Sequence, residues 1–117
     1  MKTVTEFEGL LIWQDAKKLT KDIYKYFGKL KDYGFRDQIQ RASVSVMNNI
    51  AEGFERSSDK EFIYFLNVAK ASAGEVRSQL YLAFDLEYLE ENDFNELKNN
   101  ALEVSKMISG FIKYLKK

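Results

Sequence analysis

The chain has 117 residues, of which 45% are hydrophobic and 31% are charged, a balance typical of one folded domain and not of a disordered segment. Its 18 basic and 18 acidic residues cancel, which argues against a protein that holds nucleic acid through a large positive surplus. Because histidine and cysteine are both absent, the sequence excludes histidine-ligated metal sites, serine–histidine catalysis, thiol catalysis and disulfides.

The first predicted helix covers residues 11–27, where apolar side chains recur at steps of three and four residues. Gly28 is expected to end this helix in a left-handed conformation. The outer side of the helix carries a row of lysines, namely Lys17, Lys18, Lys21, Lys25 and Lys29. Two interpretations of the row stay open: a solvated helix face, which the interspersed Asp15 and Asp22 favour, and a stripe that binds phosphate groups.

The second predicted helix, residues 35–56, has polar side chains at steps of three or four residues, which places them on one side. This polar row consists of Gln38, Arg41, Ser45, Asn48 or Asn49, Glu52 and Arg56. Apolar positions flank the row on both sides, so the helix is expected to be mostly buried. Since unpaired buried polar groups are costly, the row should find partners inside the protein or across a subunit boundary.

The third predicted helix covers residues 59–89 and begins with a capping box formed by Ser58 and Glu61. Small residues around Gly74 predict that the backbone of the second helix comes unusually close there, which would compensate for a glycine inside a helix. Glu75 is a candidate partner for Arg41 across that contact. The alternative for Glu75 is a solvated side chain.

The fourth predicted helix runs over residues 93–116, with Asp93 as its N-cap, Glu96 at the capping-box position and a regular heptad pattern. Four amphipathic helices with short connections predict an all-α, antiparallel up-down-up-down four-helix bundle in a single domain over residues 1–117. The chain also has 7 tyrosines and 9 phenylalanines, more apolar surface than a small monomer needs. We therefore expect a homo-oligomer.

The residues left for chemistry indicate no enzyme, cofactor or metal. Glu52, Glu55, Glu61 and Glu75 are candidates for a carboxylate metal cluster, but nearby arginines favour ion pairs instead. No apolar run reaches the ~20 residues of a membrane span, and the N-terminal residues lack the apolar stretch of a signal peptide. These features predict a cytoplasmic protein without a membrane partner.

Three stretches carry a family resemblance: Leu11-x-Trp13-Gln14-x-Ala16, DQIQRASVSVMNNIAEGFER over residues 37–56, and KEFIYFLNVAKASAGEVRSQL over residues 60–80. Together they resemble the bacterial four-helix-bundle family of proteins encoded in intervening sequences of large-subunit (23S) ribosomal RNA genes. The resemblance implies an up-down bundle and, as in some members, a homopentamer. The family is in turn similar to the accessory variability protein of diversity-generating retroelements, a strongly basic pentamer that works with a reverse transcriptase on nucleic acid.

The chain departs from the family pattern in its neutral charge and in lacking the prolines that the family often has in the first loop and in the second helix. The residues that the resemblance carries over are Gln38, Arg41, Ser45, Asn49, Glu52, Gly53 and Arg56 in the second helix, and Phe62, Phe65, Leu66, Ser72 and Glu75 in the third. The favoured interpretation is a buried polar network that sets helix packing and subunit register, and the alternative is a partner-binding site.

Two functional hypotheses remain. The first is a non-enzymatic oligomeric scaffold that engages an RNA or a nucleic-acid-associated protein. The second is a nucleic-acid-binding accessory factor of a reverse transcriptase, which would use lysines of helices one and four.

Overall fold

The structure, a computed structural model, describes residues 4–117, so the first three residues of the predicted domain lie outside it. The described chain is entirely helical, without a strand. Its elements are a 3₁₀ turn at Phe7–Gly9 and the helices α1 (Leu11–Phe27), α2 (Tyr33–Phe54), α3 (Asp59–Asp85) and α4 (Glu91–Leu115). The prediction of four helices in an all-α fold is confirmed.

The helices form an elongated bundle of 45 × 22 × 19 Å, in which each helix packs on its neighbours in sequence and α4 returns to α1. At one end the ring of Phe35 lies 5.6 Å from that of Phe27 and 5.4 Å from that of Tyr88, so the end of α1, the start of α2 and the segment after α3 meet. At the other end Phe62 of α3 lies 5.4 Å from Phe111 of α4. These contacts are consistent with the predicted up-down-up-down order.

All four helices contribute to one apolar core, because each presents the three-and-four-residue pattern of an amphipathic helix to the bundle axis. The largest fully buried apolar side chains are Leu19, Ile23, Phe27, Ile39, Val46, Ile50, Leu66, Val76, Leu80, Leu97 and Ile108. Burial of each contributes about 1.5–3 kcal/mol to folding. Buried Thr20 stays satisfied, since its hydroxyl lies 3.0 Å from the carbonyl oxygens of both Ala16 and Ser43.

Local hydrogen bonds fix the starts of α2 and α3. One half of the predicted capping box is present: the Ser58 hydroxyl accepts from the Glu61 amide at 3.2 Å. The Glu61 carboxylate accepts from the Ser58 hydroxyl at 3.2 Å and not from the Ser58 backbone amide. Helix α2 starts at Tyr33, earlier than predicted, because the Asp32 carboxylate caps it by accepting from the amide of Phe35 at 3.2 Å.

The C-terminal caps of α1 and α3 differ from the prediction. Gly28 has a φ of −59°, so the expected left-handed cap is wrong. Helix α3 ends at Asp85, short of residue 89, because Glu87 takes a left-handed φ of 63° and the Tyr88 amide donates to the Ala83 carbonyl at 2.8 Å. This is the Schellman pattern of a helix end, built here without glycine.

The predicted N-cap of α4 is also wrong. Helix α4 begins at Glu91, and Asp93 lies inside its first turn, because the amide of Phe94 already donates to the carbonyl of Glu90 at 2.9 Å. Asp93 and Glu91 instead place negative charge at the positive end of the helix dipole. Within residues 4–117, no helix combines the length and apolarity needed to cross a membrane.

Candidate functional site

The polar row of α2 lies beside α3 but faces outward. Gln38, Arg41 and Glu52 are exposed, and only Ser45 and Asn49 are half-buried. The row is therefore not buried within one chain, and its expected burial across a subunit boundary stays a prediction. The apolar positions of α2 on the opposite side are sufficient to anchor the helix in the core, which leaves the polar side free to face solvent.

The centre of the row forms a short hydrogen-bond chain across the α2–α3 seam. The Asn49 amide donates to the carbonyl and hydroxyl of Ser45, at 2.8 and 3.0 Å. The Ser45 hydroxyl lies 2.8 Å from the hydroxyl of Ser72, which is buried. Either of the two serine hydroxyls can donate to the other. The Ser45–Ser72 contact is the link of this chain that joins α2 to α3.

Gly53 lies where α2 and α3 pack tightly against each other. A Cβ at this position would lie 2.8 Å from Cδ1 of Phe62 and 2.9 Å from Cβ of Phe65, well inside contact distance. Gly74, where close packing was predicted, has nothing within 4 Å of an added Cβ. The small residues of α3 do meet α2, at Ser72, which contacts Ser45, but Gly74 itself does not take part. Gly53 instead faces the first two turns of α3.

Arg56 follows α2 and ties the row to the start of α3. Its guanidinium lies 3.2 Å from Glu52 and 4.0 Å from Glu61, and 4.7 Å from the centre of the Phe65 ring. All three charged groups are largely exposed, so each ion pair contributes little to stability. The arrangement positions the α2–α3 loop.

Arg41 and Glu75 do not pair as predicted. Among residues 4–117 the ion pairs include neither of them, and both side chains are exposed. Each lies one helical turn from the Ser45–Ser72 contact, and the helices run past each other there, so both charges occupy the same outer face. We call this surface the α2–α3 face.

The lysine row of α1 is exposed along its length. Lys18 pairs with Asp22 at 3.5 Å, and Lys17 lies over the Trp13 ring at 5.4 Å. The row is therefore interrupted by an acidic partner.

Sequence reasoning missed a groove of about 490 Å³ between α3 and α4. Its lining contains four cations and small residues but no carboxylate: Lys70, Arg77, Leu102, Ser105, Lys106, Ser109, Gly110 and Lys113. We call it the α3–α4 groove. A signal was present in the sequence, since Lys70 and Arg77, like Lys106 and Lys113, are seven residues apart and so share a helix face.

Carboxylates do not gather into a metal site in the described chain. No group of three or more Asp or Glu side chains within residues 4–117 is placed to hold a metal ion, and Glu52 and Glu61 contact Arg56. The perturbed pKa values belong to groups at one end of the bundle. The hydroxyl of Tyr88 donates to Asp32 at 2.7 Å, which lowers the pKa of Asp32 and raises that of Tyr88, while Asp93 raises the pKa of Tyr26.

The fold and the contact between α2 and α3 define an all-α helical-bundle protein. Its polar residues in this region pack the two helices together or lie on the surface. A family model described as 23S rRNA-intervening sequence protein matches residues 8–110. The chain belongs to this family, as its sequence motifs predicted.

A solved structure supports the same assignment. It is a protein of unknown function from the S23 ribosomal protein family of Bacteroides thetaiotaomicron, 26% identical in sequence, with a TM-score of 0.83. The match covers 88% of this chain and 99% of that one. No curated protein matches the sequence.

Proposed function

We propose that this protein is a non-enzymatic scaffold that associates with copies of itself through the α2–α3 face and engages an RNA or protein partner. The observation that carries the proposal is the pair Arg41 and Glu75, two exposed charges of opposite sign on one face, without an ion-pair partner in the described chain. In a ring of copies, the α2 side of this face on one copy packs against the α3 side of the face on its neighbour, so that Arg41 of one copy meets Glu75 of the next.

The side chains around these charges support a protein contact. Tyr64, Ala71, Glu75, Ser78 and Leu82 follow one another at helical spacing along the outer side of α3. Tyr64 is 64% exposed and Leu82 is 48% exposed, so two large apolar groups flank the charge on a strip of small residues. Apolar anchors within a polar surround are the composition of a subunit interface.

The non-enzymatic part of the proposal is supported by the residue types present. With neither histidine nor cysteine in the chain, no side chain has an ordinary pKa between about 5 and 8, where general acid–base catalysis at neutral pH operates. The RNA part is supported by the family description, which ties its members to intervening sequences of 23S rRNA. By the same resemblance, we expect five subunits.

Light scattering on the purified protein at micromolar concentration tests the assembly. We expect a mass of several protomers for the native chain and a smaller mass for both Arg41→Glu and Glu75→Arg. The double variant restores the charge pair and should recover the native mass. Lys21→Glu, on the exposed side of α1, is the control for a charge reversal elsewhere.

A strictly monomeric native chain would overturn the self-association proposal. Loss of assembly in the double variant as well would show that the two charges do not meet across the interface.

For the hypothesis of a nucleic-acid-binding accessory factor, the lysines of α1 give weaker support than the cations of the α3–α4 groove. Lys18 is partnered by Asp22 there, whereas the cations of the α3–α4 groove have no acidic group among the lining residues.

A further inference from the structure

The α3–α4 groove concentrates positive charge in a chain whose net charge is zero. Lys70 and Arg77 of α3 face Lys106 and Lys113 of α4 across a groove of about 490 Å³. The ion pairs of residues 4–117 include none of these four cations. Four unneutralised cations around one concave surface attract an anion that carries several charges.

Small residues form the floor of the groove, and most of its exposed surface is apolar. Ser105, Ser109 and Gly110 lie between the cations, and an added Cβ at Gly110 would meet nothing within 4 Å. A ligand backbone can therefore come close to α4, where serine hydroxyls donate hydrogen bonds to phosphate oxygens. This floor favours a thin, extended ligand over a bulky one.

An aromatic side chain extends the groove towards the start of α4. Tyr81 is 50% exposed and packs edge-on against Phe94, with ring centres 5.2 Å apart. The ammonium group of Lys98 lies 5.9 Å from the centre of the Tyr81 ring. A half-exposed ring held by a neighbour and next to a cation is the arrangement on which a nucleic-acid base stacks.

The spacing of the cations suits a strand. Seven residues of helix separate the cations on each wall by about 10.5 Å, and Lys98 and Lys113 are about 22 Å apart along α4. That length accommodates about four nucleotides of an extended single strand, the lower end of the site sizes of single-strand-binding folds.

We propose that the α3–α4 groove binds the phosphate backbone of single-stranded RNA, with Tyr81 as a stacking surface for one base. This inference rests on the part of the proposed function in which the partner is RNA, and it locates the contact on a different surface from the α2–α3 face.

Fluorescence anisotropy with a labelled 12-nucleotide oligouridine tests the groove. Four neutralised phosphates on a single strand give a slope of about −3 in log affinity against log salt, hence a loss of about 50-fold between 50 and 200 mM salt. We expect Lys70→Gln/Arg77→Gln, and separately Lys106→Gln/Lys113→Gln, to weaken binding at least tenfold at 50 mM salt. Each double variant should also halve the salt slope.

The matched control is Lys21→Gln/Lys25→Gln on α1, which removes the same two charges from another face and should change affinity less than twofold. Tyr81→Ala should weaken binding about tenfold and leave the salt slope unchanged, since stacking is not a phosphate contact. Melting curves establish that each variant is folded, and light scattering on the same samples reports assembly.

Equal losses in the α1 control and the groove variants would overturn the proposal, because binding would then follow net charge alone. Absence of binding at 50 mM salt would also overturn it, as would equal competition by a poly-glutamate peptide, which would indicate an acidic protein ligand. If RNA binding at the groove fails but light scattering still gives a multimeric mass, the scaffold proposal is unaffected. If the mass is monomeric but RNA binds at the groove, only the self-association proposal is refuted.

Discussion

The replacement Gly53→Ala tests whether the close approach of α2 to α3 is a real constraint. The added Cβ would lie 2.8 Å from Cδ1 of Phe62 and 2.9 Å from Cβ of Phe65, where ordinary carbon contacts are about 3.5–4.0 Å. The Phe62 ring can rotate, but the Phe65 Cβ moves only with the backbone of α3. The helices must therefore separate by several tenths of an ångström.

Two terms set the magnitude. Overpacking costs about 1–3 kcal/mol, and the better helix propensity of alanine returns at most about 1 kcal/mol near a helix end. The expected result is a loss of about 1–2 kcal/mol in the free energy of unfolding, or about 4–8 °C in melting temperature. Urea unfolding followed by circular dichroism measures it, at a protein concentration that keeps the assembly state the same for all variants.

Gly110→Ala is the matched control, because its Cβ meets nothing within 4 Å. It gains helix propensity without a clash and should be more stable than the native chain by about 0.5–1 kcal/mol. If Gly53→Ala proves as stable as Gly110→Ala, the α2–α3 contact is not tight and the interpretation of Gly53 fails.

Two further changes act at the other end of the bundle. Tyr88→Phe should lower stability at pH 7 by removing the hydrogen bond to Asp32. The lowered pKa of Asp32 stabilises the fold at neutral pH, and this contribution is lost as the pH falls below the ordinary value of 3.8 towards the lowered pKa. The raised pKa of Tyr88 also stabilises the fold, and its contribution is lost as the pH rises above the ordinary value of 10.0. The melting temperatures of the variant and the native chain should therefore converge below pH 3.8 and above pH 10. A difference in melting temperature that stays the same from below pH 3.8 to above pH 10 would contradict the hydrogen bond between Tyr88 and Asp32 as its cause. Glu87→Gly relieves a left-handed φ of 63° and should stabilise by about 1 kcal/mol in urea unfolding, whereas Glu90→Gly, in extended backbone, should not.

Apolar periodicity predicted the four helices because burial of one side decides where a helix forms. The start of α3 was predicted to the residue, since the Ser58 cap and Glu61 lie within one turn of each other. Other ends depend on distant contacts. Asp32 caps α2 while it accepts from Tyr88, 56 residues away, and the end of α3 is set by a left-handed Glu87, which no glycine announces.

The candidate site was predicted in composition but not in orientation. The sequence indicated that Ser45 and small residues of α3 meet, and Ser72 does lie against Ser45. It could not distinguish Gly53 from Gly74, because a small residue creates space without specifying which neighbour fills it. Arg41 and Glu75 lie at the same height along the bundle axis and on the same face. The distance between their charged groups depends on side-chain rotamers, which the spacing of residues in the sequence does not determine.

The basic groove could not be predicted from the net charge of successive segments of the chain. Residues 57–97 carry 3 basic and 9 acidic residues and so read as an acidic region. Most of those acids lie at the end of α3, in the segment after it or in the first turns of α4, at Asp85, Glu87, Glu90, Glu91, Asp93 and Glu96. Lys70 and Arg77, in contrast, line the same groove as the cations of α4. A phosphate at the groove is screened from charges beyond about 8 Å at physiological salt. It therefore responds to the charges that line the groove and not to the net charge of the chain. Zero net charge therefore removes long-range steering of RNA, while the groove retains the local attraction that the salt-dependence experiment measures.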